Sequence, residues 1–150
     1  MPPSASPSAG FNELAGYIFG GNVQRERMEM TTPVLSTAGQ QRERGNRMAF
    51  VMESKYGTSM SSLPVPKDSR VITKEQESSV MAALSFGGLP LDFQVTEAER
   101  KLRGLLLLDG LNAEEGYTLA RYNSPFEPPF IRRNEILIRL KAFEDHVSEK

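Results

Sequence analysis

The stretch with the clearest structural pattern reads Ala120-Arg-Tyr-Asn-Ser-Pro-Phe-Glu-Pro-Pro-Phe-Ile-Arg-Arg-Asn-Glu-Ile-Leu-Ile-Arg-Leu140. It begins with the end of one strand and continues into a loop that three prolines stiffen, because proline fixes its own φ angle. A second strand follows, in which Ile136, Ile138 and Leu140 share one face because side chains alternate along a strand. The pattern predicts two strands joined by a rigid loop.

The rest of the chain shows a weak repeat of this pattern. Apolar spacing predicts a helix over 11–20 and a second helix over 97–108 that begins at a capping box of Thr96 and Glu99. Strands are predicted over 27–35, 47–54, 80–86, 116–123 and 134–140, with a further candidate strand over 71–77. Residues 47–54 are apolar on both faces, which is typical of a strand buried on both sides.

The two halves follow the same order, except at the beginning. The second half predicts strand, helix, strand, loop and strand, whereas the first half has no strand before its helix. We therefore expect an α+β fold of two βαββ-type repeats with the first strand missing. The unpaired sheet edge that results predicts self-association, pairing with a partner strand, or an upstream strand that completes the sheet.

Composition excludes several classes of function. The 18 basic and 19 acidic residues nearly cancel, so nucleic acid is not an expected partner. The absence of cysteine excludes disulfides, thiolate metal sites and cysteine nucleophiles. His146 is the only histidine, which argues against a Ser-His-Asp triad or a two-histidine zinc site. No apolar run is long enough to span a membrane, no targeting peptide is evident, and nothing indicates an enzyme.

The predicted domain covers residues 11–141. Residues 1–10 are rich in proline and serine and are expected to be a disordered lead-in. Residues 142–150 form a charged tail.

Three groups of residues could contact a ligand, although each also has a purely structural interpretation. Six methionines beyond Met1 suit a large flat apolar ligand, and a thioether can bind iron, but methionine also fills gaps in an ordinary core. Arg132 and Arg133 could hold a ligand carboxylate, or pair with neighbouring carboxylates. The proline loop with Phe126 and Phe130 could form the lip of a pocket or seal the end of a barrel.

Several segments together resemble the SOUL heme-binding protein family. The most specific are Met30-Thr-Thr-Pro-Val34, Leu63-Pro-Val-Pro-Lys-Asp68 and Arg132-Arg-Asn-Glu135, and the resemblance extends over residues 11–141. These segments are most similar to the sequences of plant and algal members, many of which are plastid proteins. The resemblance therefore implies a chloroplast location, with the cytoplasm as the alternative.

The resemblance also implies a fold and a ligand. The fold would be a distorted antiparallel β-barrel flanked by two helices, and the function would be that of a carrier or buffer for heme or a related tetrapyrrole. The ligand would lie, without covalent attachment or histidine ligation, in an apolar groove between the first helix and the late proline loop. Carried onto this chain, the groove would comprise Leu14, Tyr17, Ile18, Tyr122, Pro128, Pro129, Phe130 and Arg132.

The chain departs from the family pattern where animal relatives carry basic residues near the ligand. The matching positions here are Gly16 and Glu127, and the family's usual first strand is absent. A protein-interaction module without a cofactor, built on the same barrel, is therefore the alternative function. A small-molecule effector domain, suggested only by the βαββ pattern, is a third.

Overall fold

Two helices and one sheet make up the regular structure of the computed structural model, which describes residues 7–38, 47–124 and 126–141. The elements, in chain order, are α1 (Pro7–Ile18), β1 (Val34–Ala38), β2 (Arg47–Phe50), β3 (Met81–Gly87), α2 (Asp92–Leu108), β4 (Tyr117–Arg121) and β5 (Arg133–Arg139). Short 3-10 turns lie at Ser54–Tyr56, Met60–Ser62 and Pro129–Ile131. The predicted α+β class is confirmed.

The five strands form one antiparallel sheet in the order β2-β1-β4-β5-β3. Within the described residues this sheet is open, with β2 and β3 at its two edges, so the expected closed barrel is not observed. The central pair joins the two halves of the chain, since Leu35 of β1 lies opposite Ala120 of β4.

The strand order agrees with the predicted repeat. In the second half, β5 lies between β4 and β3. In the first half, β2 occupies the position equivalent to β5, and it pairs only with β1 among the described strands. The strand equivalent to β3 is the one that the sequence pattern lacks before α1.

The two faces of the sheet have different surroundings. On the face against α2, the buried residues Leu119, Ile136 and Ile138 pack with Val95, Ala98, Leu102 and Leu106 of the helix. On the opposite face, Thr37, Thr118 and Leu137 lie side by side across β1, β4 and β5. The register puts Phe50, which packs with α1, on the same face as Leu119, so both helices cover one side of the sheet.

The helix boundaries differ from the predicted ones mainly at their starts. Helix α1 begins at Pro7, inside the predicted lead-in, and ends before Gly20, whose φ of 110° is accessible to glycine. Helix α2 begins at Asp92, where Gln94 Oε1 accepts a hydrogen bond from the Leu91 N–H at 3.4 Å. The predicted capping box at Thr96 is therefore wrong, because Thr96 lies inside the helix.

Three of the strand predictions require correction. Residues 27–33 are irregular, and β1 begins only after the cis peptide bond between Thr32 and Pro33. Residues 71–80 form no strand. Strand β2 is not buried on both sides, because it lies at the edge, where Arg47 and Ala49 are exposed. Within the described residues, no helix has the length and apolar character needed to cross a membrane.

Candidate functional site

A cavity of about 810 Å³ follows the edge strand β2, with residues of α1 lining it on the helix side and residues of β1, β4 and β5 lining it on the inner face of the sheet, the face opposite the helices. All four residues of β2 line it, because no strand covers this edge in the described structure. Thr37, Thr118 and Leu137 form its floor, and residues 70–74 run along its border. The short side chains of Thr37 and Thr118 leave room at this floor.

The three residues predicted on the first helix contribute to this cavity. Leu14, Tyr17 and Ile18 all line it. Tyr17 and Ile18 are also core residues, with Ile18 completely buried. The Tyr17 hydroxyl donates to the Pro64 carbonyl oxygen at 2.6 Å, and burial raises the pKa of Tyr17 above its ordinary value. Tyr17 therefore helps to hold the helix in place as well as lining the cavity wall.

The other five predicted residues lie outside the lining of this cavity. Pro128 precedes the 3-10 turn Pro129–Ile131, and both prolines are exposed. Phe130 is 87% exposed and makes no wall for the cavity. Arg132 Nε donates to the Glu127 carbonyl oxygen at 2.8 Å. Tyr122, Pro128, Pro129, Phe130 and Arg132 all lie in the segment from the end of β4 to the start of β5, and none of them lines this cavity.

The paired arginines have structural partners. Arg133 forms an ion pair with the buried Glu135, which lowers the pKa of that carboxyl below its ordinary value. Glu135 also accepts a hydrogen bond from the Tyr122 hydroxyl at 3.0 Å, and the Arg133 guanidinium carbon lies 4.7 Å from the Tyr122 ring centre. Burial, followed by the bond to Glu135, raises the pKa of Tyr122. The pairing interpretation of Arg133 is confirmed.

Basic residues of the cavity were missed by sequence reasoning. Arg47, Lys74 and Arg139 line it, and no ion pair joins any of them to another described residue. A fourth basic residue, Arg70, is already paired with Glu13 and Asp68. These residues are far apart in sequence, so only the strand pairing and the path of residues 70–74 reveal them as a group.

The chemistry of the lining fits a large apolar ligand that carries acid groups. Met48, Met52 and Met81 offer flexible thioether side chains, and Leu35, Phe50 and Leu137 add apolar surface. Basic side chains at the border can pair with carboxylates. Across the described parts of the chain, no group of three or more His, Cys, Asp or Glu residues could hold a metal ion. His146 lies outside the described residues.

A second, smaller depression of about 310 Å³ lies between β3 and the start of α2. Its lining includes Leu84, Phe86 and the exposed Phe93. The basic residues at its border are limited to Lys101, so it offers less to an acidic ligand than the larger cavity does.

Comparison with known proteins gives one result. A family model described as SOUL heme-binding protein matches residues 3–139, which is most of the chain. No curated protein gives a significant match.

Proposed function

Since this chain belongs to the SOUL heme-binding protein family, we propose that it binds heme or a related tetrapyrrole and acts as a carrier or buffer. The cavity beside β2 is the observation that supports this proposal most directly. Its volume of about 810 Å³ lies within the range of small-molecule and cofactor sites. The family suggests the ligand, and the cavity offers a place for it.

The proposed site retains the helix half of the predicted groove. Leu14, Tyr17 and Ile18 supply one wall, and the inner face of the sheet replaces the proline loop as the other. Heme supplies an iron centre and a broad apolar ring when it is bound. The chain itself contributes apolar contacts, with Met48, Met52 and Met81 as the available thioether donors in place of histidine.

The role proposed here is that of a binding protein and not of an enzyme. Binding by apolar contact suits a carrier, because burial of a flat ring yields about 25 cal/mol per Å² of apolar surface without a covalent bond. A plastid location, as in many plant and algal members, is proposed on resemblance alone. Imaging the fluorescently tagged protein in its own cells tests that location.

Titration with hemin tests the proposed function. We expect a saturable shift of the Soret band at micromolar protein, and we expect Thr118→Phe to weaken it at least tenfold, because the ring would fill the floor of the cavity. Thr96→Phe is the matched control, since Thr96 is exposed on α2 away from the cavity. Absence of a saturable shift in the unmodified protein, or equal effects of the two substitutions, would refute the proposal.

The second candidate is an interaction module, and the edge of β2 that no described strand covers favours it. We propose that an added strand pairs with this edge, through self-association or from a partner or upstream segment, and thereby completes the expected barrel. Exposed edges recruit strands because their backbone N–H and C=O groups are unpaired. Sedimentation of the protein with and without hemin separates the two candidates: an assembly that is insensitive to hemin favours the module, and a monomer under both conditions excludes self-association.

A further inference from the structure

The basic residues of the cavity stand at fixed positions relative to its floor. Arg47 lies opposite Thr37, Thr37 opposite Thr118, and Thr118 opposite Leu137, so one row of side chains crosses four strands. Arg139 lies two residues beyond Leu137 on the same face of β5. Arg47 and Arg139 therefore stand on either side of the floor, separated by three strand intervals (roughly 14 Å) across the sheet and by two residues (roughly 7 Å) along β5.

The floor between these two arginines is small and only weakly polar. The hydroxyls of Thr37 and Thr118 are 3.2 Å apart and hydrogen-bond to each other, so they do not need a ligand. Leu137 continues the row with an apolar side chain. A flat apolar body can lie on this surface without leaving a buried polar group unpaired.

The charges around the floor favour an acidic ligand. Four basic residues line the cavity, against two acidic ones, Glu114 and Glu115. Arg70 is neutralised by Glu13 and Asp68, whereas Arg47, Lys74 and Arg139 form no ion pair within the described part of the chain. Guanidinium and ammonium groups that are not engaged in an ion pair can donate hydrogen bonds to the carboxylates of a ligand.

We propose that Arg47, Lys74 and Arg139 recognise the carboxylates of the ligand, so that the cavity selects tetrapyrroles with free acid side chains over their esters. This inference rests on the proposed function and adds which tetrapyrroles the cavity prefers. A ligand that reaches both arginines needs a broad apolar body with acid groups at its periphery, which is the chemistry of a porphyrin dicarboxylate. Arg47, Lys74 and Arg139 would thus take the role of the basic residues that animal relatives carry where this chain has Gly16 and Glu127.

The test compares protoporphyrin IX with its dimethyl ester, which keeps the ring and removes both charges. Binding is followed by quenching of tyrosine fluorescence in the full chain. We expect the diacid to bind at least tenfold more tightly than the ester, and the difference to shrink as salt rises from 0.05 to about 0.5 M, because ions screen exposed charges. Equal affinity of the two ligands would overturn the proposal.

Substitutions then assign the effect to particular residues. Arg47→Gln and Arg139→Gln should each weaken binding of the diacid by about three- to fivefold, the range for partly exposed ion pairs, and leave binding of the ester unchanged. Arg100→Gln is the matched control, because Arg100 is an exposed arginine on α2, paired with Glu97 and remote from the cavity lining. A loss as large in the control, or equal losses for diacid and ester, would contradict the assignment.

Failure of the specificity is distinguishable from failure of the function. If diacid and ester both bind saturably with equal affinity, the ligand site stands and the role of the three basic residues is wrong. If neither binds, the proposed function is wrong and the inference falls with it. Circular dichroism of each variant shows whether it retains the fold.

Discussion

Single residues at the end of α1 determine how the chain leaves the helix. The Gly21 N–H donates to the Gly16 carbonyl oxygen at 2.8 Å. A Cβ atom at Gly21 would lie 2.5 Å from that same oxygen, which is much closer than van der Waals contact allows. The side chain of Asn22, fully buried, then donates to the carbonyl oxygens of Tyr17 and Glu26. The chain after α1 thus forms a tightly packed turn.

Gly21→Ala should therefore destabilise the protein by about 2–4 kcal/mol, since backbone atoms must move to admit the methyl group. Gly104→Ala is the control, because Gly104 lies in α2 with no heavy atom within 4 Å of the added Cβ. Alanine there should stabilise by about 0.5–1 kcal/mol through helix propensity. Urea denaturation of both variants measures the two changes, and a mild effect of Gly21→Ala would show that the turn is not rigid.

Tyr56 gives a pH-dependent prediction at the same scale. Its hydroxyl donates to Glu26 Oε1 at 2.6 Å, and burial, aided by this hydrogen bond, raises the pKa of Tyr56 to about 12. The folded state therefore favours the neutral phenol, whose pKa in the unfolded chain is about 10. The resulting stability is fully present below pH 10 and is lost as the pH rises toward 12.

Tyr56→Phe should accordingly flatten the fall in unfolding free energy between pH 10 and 12. Thermal denaturation across that range, compared with the unmodified protein, provides the measurement. Tyr122→Phe is a useful comparison, because the pKa of Tyr122 is also raised. An identical pH profile for Tyr56→Phe and the unmodified protein would show that this phenol carries no such linkage.

At the scale of elements, strand β2 differs from β5 although the repeat makes them equivalent. Strand β5 has a neighbour on both sides, while β2 is four residues long and pairs only with β1 among the described strands. Amide hydrogens of β2 should exchange with solvent much faster than those of β5, because an edge strand opens without disrupting the sheet. Mass-spectrometric hydrogen exchange tests this, and comparable protection would indicate that another strand covers β2 in solution.

The sequence predicts some of the helices and strands correctly and others not. Alternation at Ile136 and Ile138 predicts β5 correctly, because both positions face the α2 core. The capping box predicted at Thr96 is wrong because the helix begins about one turn earlier. There, just after Pro90, the Leu91 N–H donates to the Gln94 side chain. Apolar and polar residues alternate only partly along residues 71–80. Val71 packs with Tyr17 and Ile18, whereas the Val80 carbonyl oxygen accepts a hydrogen bond from the Leu140 N–H. The segment therefore connects distant parts of the structure and is not a strand.

At the scale of the whole molecule, the cavity could be predicted only in part. The family resemblance implies that Leu14, Tyr17 and Ile18 of the first helix belong to the groove, and these residues do line the cavity. The inner-face row that joins Arg47 to Thr37 and Thr118 depends on pairings between strands up to 81 residues apart. No local pattern specifies such register, so the sequence alone does not identify Arg47, Lys74 and Arg139 as residues of one cavity.

The different tasks of the two faces of the sheet have a consequence for how this protein can change over generations. Successive residues of one strand serve separate tasks, since Leu119 fills the core while Thr118 borders the cavity. Replacement of an inner-face residue alters the room for a guest and leaves the packed layer under α2 intact. Ligand preference in this scaffold is therefore free to diverge at positions where the fold imposes little constraint.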